Sequence, residues 1–162
     1  MNEVKSMYVH IPFCKSICSY CDFTKVFYSF LYEDKYLDAL KKEIEDDNPN
    51  ICDTIYIGGG TPTMLDDMDL TNLINTILAD LPHRPKEITL EANPCDLTLQ
   101  KLHCIKQANV NRLSIGIQSF NDSLLTLMGR RHNASQAKDA ITNAQKVGFD
   151  NISIDLIYGI PN

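Results

Sequence analysis

The sequence predicts an α/β fold: five consecutive β/α units of a TIM-like barrel wall. Three observations predict it. Short runs rich in Ile, Val, Thr and Leu alternate with longer amphipathic runs, which implies right-handed crossovers and a parallel sheet. Polar residues recur at or just past the strand ends: His10, the glycines after Ile57, Glu91 and Asn93, Gln118 and Ser119, and Asp155. On a barrel rim all such ends face one mouth, whereas an open doubly wound sheet concentrates them at its switch point. Third, the chain stops at YGIPN, just past the fifth strand and at 162 residues. A full eight-stranded barrel takes about 250 residues. Residues 1–162 therefore read as the N-terminal part of a longer catalytic domain. The alternative is a complete open five-stranded α/β domain.

The elements follow in order. MYVHI, 7–11, is a short buried strand. A helix is expected over 33–46, where Tyr36, Leu37, Leu40 and Ile44 recur at helical spacing. TIYI, 54–57, is a strand stopped by Gly58-Gly59-Gly60. The 67–81 helix carries Leu70, Leu73, Ile74, Ile77 and Leu81 on one face. Then come a strand at 87–93, a helix at 97–108 and a strand at 112–119. A short helix at 121–127, a longer one at 134–147 and a fifth strand at 151–157 complete the pattern.

Composition narrows the class. The chain is 44% hydrophobic, enough for a sizeable core, and has no 18-residue apolar run that would span a membrane. A net charge of -6 argues against a nucleic-acid surface. The opening MNEVKSMYVHIPF is too short and polar for a secretory signal, so a reducing, cytoplasmic setting is expected and disulfides are not.

Six cysteines are present, and three of them crowd into HIPFCKSICSYCDF, 10–23. Cys52 and Cys104, among apolar neighbours, read as buried thiols, and Cys95, in a polar turn, as incidental. Cys14, Cys18 and Cys21 have the spacing C-x3-C-x2-C and no fourth cysteine beside them. Zinc wants four ligands, and His10 is the available fourth. An iron–sulfur cube is the other solution: three thiolates hold three irons, and the fourth keeps an open position. The spacing leaves cluster, zinc and no metal open, with the cluster favoured.

YIGGGTPTML, 56–65, lacks the spacing of either phosphate-binding glycine motif. It reads as a tight turn or as a polar shelf on which Thr61 and Thr63 offer hydroxyls to a ligand, Thr63 alternatively serving as a cap. Glu91, Gln118 and Asp155 stand at strand ends; Arg130 and Arg131 are candidates to pair with them or to hold a ligand carboxylate. Arg112 starts a strand at the opposite rim and reads as structural. Tyr8, Tyr20 and Phe23 flank the thiols, either as packing or as a screen from water.

YVHIPFCKSICSYCDF, GGGTPTML, TLEANP, RLSIGIQSFND, GRRH and NISIDLIYGIP together resemble the radical S-adenosylmethionine superfamily. They are most similar to its heme chaperone branch, often labelled oxygen-independent coproporphyrinogen III oxidase-like. The resemblance implies a partial six-unit β/α barrel with a smaller C-terminal domain, of which the sixth strand and the rest are not in this sequence. It implies a [4Fe–4S] cluster on Cys14, Cys18 and Cys21, whose free iron is chelated by the amino and carboxylate groups of S-adenosylmethionine and whose reduced form cleaves that molecule to methionine and a 5′-deoxyadenosyl radical. Tyr8 would lie against that cofactor, and Tyr20 would supply backbone contacts beside the cluster. Gly59, Gly60 and Thr61 would bind its amino acid end, and Glu91, Gln118, Arg130 and Asp155 would complete the pocket.

The branch further implies heme or porphyrin as ligand in the full-length protein, a heme-accepting respiratory protein and an electron donor as partners, and peripheral membrane association at most. Its His-Asn-x-x-Tyr-Trp element is not in this sequence. The decarboxylating oxidase carries a fourth cysteine, C-x3-C-x2-C-x-C, and a longer N-terminal extension. Here that position is Phe23, and 13 residues precede Cys14. Both differences favour the chaperone branch; the oxidase and a non-enzymatic metal-binding module are the alternatives.

Overall fold

A computed structural model describes residues 6–47, 52–79 and 81–160. Asp80, inside the helix expected over 67–81, and Pro161 and Asn162, at the end of YGIPN, lie outside the described residues.

The elements run β1 (Ser6–Ile11), β2 (Phe13–Cys14), β3 (Val26–Phe27), α1 (Phe30–Asp47), β4 (Thr54–Gly59), α2 (Asp67–Ala79), β5 (Glu87–Ala92), α3 (Leu99–Gln107), β6 (Arg112–Gln118), α4 (Asp122–Leu127), α5 (Ala134–Lys146) and β7 (Asn151–Leu156). Single 3₁₀ turns at Pro62–Met64 and Pro94–Asp96 follow β4 and β5. The main sheet is parallel in the order β1-β4-β5-β6-β7. Spatial order thus follows chain order with no reversal, so right-handed crossovers set all the helices on one face. That is a barrel wall, not a doubly wound sheet, as expected from the strand ends.

Side-chain alternation separates two faces. Ile55 and Ile57, Ile88 and Leu90, and Leu113, Ile115 and Ile117 are buried against Leu70, Leu73, Ile74 and Ile77 of α2, Leu102 and Ile105 of α3, and Ala137, Ala140 and Ala144 of α5. The three alanines let α5 approach the sheet closely. On the other face the register aligns Tyr8 with Tyr56, Tyr56 with Thr89, Thr89 with Arg112, and Glu91 with Ser114. This row is polar and faces the barrel interior.

Local signals set the helix starts. Thr98, Asn121 and Asn133 each accept a backbone N–H as N-caps, and Asn133 completes a capping box with Gln136. Several boundaries differ from expectation. Strand β4 is not stopped by the glycines but runs on through Gly58 and Gly59, which pair with His10 and Ile11 of β1. Helix α1 begins three residues early, at Phe30, where the Ser29 carbonyl accepts the Tyr32 and Glu33 amides. Helix α3 begins at Leu99 because Leu97 closes the preceding 3₁₀ turn. The β2–β3 pair has no counterpart in the expected element order. Cys52 is buried and donates to the Thr54 carbonyl, whereas Cys104 is only half-buried.

Candidate functional site

The three cysteines lie on one loop closed at its base by β2 and β3. The Val26 amide donates to the Pro12 carbonyl at 2.9 Å, and the Tyr28 amide to the Cys14 carbonyl at 3.0 Å. Phe13 anchors the entry: it is fully buried and meets the edges of Tyr28 and Tyr36. Tyr36 in turn donates to the His10 carbonyl at 2.7 Å. The Lys25 ammonium caps the Cys21 and Phe23 carbonyls. Lys15 reaches Asp96, 3.8 Å away, and Arg131 donates to both oxygens of the same carboxylate at 3.1 and 3.2 Å. Arg131 is therefore committed to Asp96 and not to a ligand.

The glycine run after β4 packs directly against this loop. A Cβ on Gly60 would stand 2.6 Å from the Pro12 carbonyl oxygen and 2.8 Å from that of Phe13. Gly59 has φ +119° and would meet the His10 ring at 2.7 Å. The Gly60 amide donates to the Ile11 carbonyl at 2.8 Å. Thr61 places Oγ1 3.6 Å from the Cys14 sulfur. Thr63 is turned inward instead, and its hydroxyl accepts the Asn93 amide at 3.2 Å, so it offers nothing to a ligand. The next turn is clamped by Lys101 of α3, only 8% exposed, whose ammonium donates to the Thr63 and Leu65 carbonyls and lies 3.3 Å from Asp67.

Across the mouth, Glu91 is partnered by neither arginine. Its carboxylate accepts from the Tyr56 hydroxyl at 2.7 Å and from the Gly59 amide at 3.0 Å. Arg130 donates to the Gly116 carbonyl at 2.5 Å and reaches the Tyr20 hydroxyl at 3.3 Å and the Cys18 sulfur at 3.7 Å. Gln118 ends β6 at φ +67°, an uncommon value for a non-glycine residue, beside a register shift that re-aims the strand end. Asp155 lies on the exposed strand β7; partial burial raises its carboxyl while Arg112 and Arg130 oppose that. At the opposite rim Arg112 meets Thr89, Ser153 and Glu87. Two small cavities of about 200 and 290 Å³ also lie at that rim, near Arg84 and Asn109.

His132, also absent from the sequence-derived site, is 3% exposed, with Nε2 3.0 Å from the Ile117 carbonyl. Nε2 must carry a proton to bond there. Burial first, then the Arg130 charge, lowers its pKa and keeps the ring neutral. It braces the residue just before Gln118, and the GRRH block was its only sequence signal.

Charge at the thiols is shaped by the same neighbours. Burial pushes the Cys14 thiol up, the Thr61 contact opposes it, and the nearby Cys21 and Cys18 reinforce it. Burial also pushes Tyr20 up to about 12, so its phenol stays protonated beside Arg130.

The fit to a metal can be tested on these residues. Among the described residues, no three His, Cys, Asp or Glu side chains converge on a point where one ion could sit. His10 has both ring nitrogens engaged, by Tyr8 at 3.1 Å and the Thr24 carbonyl at 2.9 Å. A mononuclear zinc site on His10 and the cysteines does not match that arrangement. Three free thiols on one loop are the donor set that a cubane cluster takes, one thiol to each of three irons. Tyr8 and Phe23 are largely exposed, Phe23 at 74%, so the ring at position 23 contributes little packing here.

A parallel barrel wall with a three-cysteine loop, a glycine shelf and an arginine at its C-terminal mouth defines a class. The chain belongs to the radical SAM superfamily, whose family model matches residues 8–162. Within the superfamily it groups with the heme chaperone branch: it is 44% identical to the heme chaperone HemW of Bacillus subtilis, over 98% of this chain and 43% of that protein. The oxygen-independent coproporphyrinogen III oxidase of Salmonella typhimurium is 36% identical over 96% of this chain and 35% of its own length. The solved coproporphyrinogen III oxidase HemN of Escherichia coli superposes with a TM-score of 0.89 at 32% identity, covering 98% of this chain and 38% of that one. The chain therefore spans less than half the length of these relatives.

Proposed function

We propose that this chain is the cofactor-binding core of a heme chaperone that uses the radical SAM scaffold. The carrying observation is that Cys14, Cys18 and Cys21 occupy one loop between the glycine shelf and Arg130. In this reading the three thiolates hold a [4Fe–4S] cluster. Gly59, Gly60 and Thr61 receive the amino acid end of S-adenosylmethionine, with Tyr8, Tyr20, Glu91, Gln118, Arg130 and Asp155 around it. Bound there, the cluster supplies one-electron chemistry to the cofactor. The residues supply placement. Lys25 and the β2–β3 pair hold the loop, Thr61 meets Cys14, and Arg130 sets a fixed positive charge beside Cys18 and Tyr20.

Phe23 supports the chaperone reading over the oxidase, because a phenyl ring neither ligates iron nor transfers a proton. Heme or a porphyrin is then the cargo, a respiratory protein its acceptor, and a reductant the electron donor. The setting is cytoplasmic, with peripheral membrane contact at most. Among the described residues no helix is long and apolar enough to cross a membrane.

Anaerobic reconstitution with iron and sulfide tests the core. A paramagnetic reduced cluster should form, and its spectrum should change when S-adenosylmethionine is added. Losing any one of the three thiols should empty the site, so C14A, C18A and C21A should each lose the cluster while C52A keeps it. A full cluster in C18A would sink the assignment, and a stoichiometric tetrahedral zinc would support a structural module instead. Given heme and coproporphyrinogen III in parallel, the full-length protein should bind heme and leave the porphyrinogen unchanged. Multiple-turnover formation of protoporphyrinogen IX would promote the oxidase.

A further inference from the structure

Tyr56 stands on the inner face of β4, two residues before the glycine run, and no motif marks it. Its hydroxyl donates to Glu91 Oε1 at 2.7 Å, while the Gly59 amide takes Oε2 at 3.0 Å. The carboxylate is thus gripped on both oxygens. A carboxylate has about four acceptor positions, so capacity remains for a further donor. Gly58 shows how tightly this is built: a Cβ there would lie 2.8 Å from Glu91 Cδ and 2.8 Å from Tyr56 Cε1. The space that glycine vacates is filled by the tyrosine–glutamate pair.

The other side of the ring is also engaged. Tyr56 stacks on Tyr8 with centroids 5.9 Å apart and planes at 23°. His10 Nε2 faces the Thr24 carbonyl at 2.9 Å and so carries a proton. In a neutral ring Nδ1 then accepts the Tyr8 hydroxyl at 3.1 Å. Two hydrogen-bonded strings meet at the stack. One runs from the glycine shelf through Glu91 to Tyr56. The other runs from Tyr8 through His10 to Thr24, three residues past Cys21.

We propose that Tyr56 is a positioning residue for the mouth: with the Gly59 amide it holds Glu91 in one rotamer as the acceptor for a ligand ammonium. The inference rests on the reading of Glu91 as part of the S-adenosylmethionine pocket. The Tyr8–Tyr56 stack carries the same restraint toward the cysteine loop. The Tyr56 hydroxyl bonds Glu91 and its ring stacks on Tyr8, so its effect passes through Glu91.

The test is S-adenosylmethionine binding, by calorimetry, to anaerobically reconstituted wild type, Y56F, E91Q and Y56F/E91Q. A hydroxyl bonded to a charged group is worth enough that Y56F should weaken binding about tenfold. E91Q should weaken it further. The double variant should match E91Q within about twofold, because the charged acceptor that Tyr56 positions for the ammonium is already gone. Iron and sulfide content should equal wild type in all four. Unchanged affinity in Y56F, full additivity in the double variant, or loss of iron in Y56F would each overturn the proposal while leaving the site reading intact. Absence of binding by wild type would instead overturn the site reading, and the role of Tyr56 with it.

Discussion

The two faces of the sheet obey different rules, although they alternate along the same strands. On β4, Ile55 and Ile57 meet the helices, while Tyr56 and Gly58 meet the barrel interior. The outer row is aliphatic and non-directional; its residues are bound by volume. In the inner row named partners recur: Tyr56 with Glu91, Arg112 with Thr89 and Ser153, Ser153 with Ser114. Burial stabilises the first row. Geometry decides what the second can do, and an error there is local.

The largest expected effect follows from the outer row. Ile57 is fully buried, so I57A should lower unfolding free energy by about 2–5 kcal/mol, read from the urea midpoint at constant m. S114A, on the inner row, gives up one hydrogen bond with Ser153 and should lower it by about 1 kcal/mol. Equal losses from the two would erase the distinction between the faces. An intermediate effect is expected where the rows meet the mouth. A Cβ at Gly60 collides with backbone, not with a movable side chain, and overpacking of that kind costs about 1–3 kcal/mol. G60A should also change the alkylation rate of Cys14, since Pro12 and Phe13 lead into it. An unaltered Cys14 rate in a destabilised G60A would show that the shelf and the thiol loop move independently.

The smallest effect is conditional on pH. The folded pKa of His132 lies below its ordinary 6.5, so between those values the unfolded chain binds a proton that the folded chain refuses. Stability from this residue is complete above about 6.5 and is lost as pH falls below it. H132Q should flatten that acid-side slope, measured by thermal melts across pH 5–8. An identical slope in H132Q would assign the dependence to other groups.

What the sequence made legible was periodic or local. Five strands, their parallel order and the barrel class follow from alternation and from polar strand ends. That the three cysteines share one loop was legible from their spacing alone. What escaped depends on partners distant in sequence. Arg131 was free to serve a ligand until the fold put Asp96 beside it. Glu91 called for a cation and instead found a phenol and an amide. Thr63, Lys101 and His132 owe their roles to contacts 15 or more residues away. The β2–β3 pair, two residues a strand, is too short to leave a periodic trace.

The glycine run has a consequence for how this loop can change over time. Its three positions are blocked by different neighbours. A side chain at 58 meets the Tyr56 and Glu91 side chains, and one at 59 meets first the His10 ring and then, at 3.0 Å, the Ile11 carbonyl. The side chains are obstacles that a second substitution can shorten. At 60 the obstacle is main chain, which no exchange of residues removes. Positions 58 and 59 can therefore drift in company with a compensating partner, although 59 keeps its left-handed backbone cost. Position 60 has no such partner, and its freedom to vary ends where the route to the first cysteine begins.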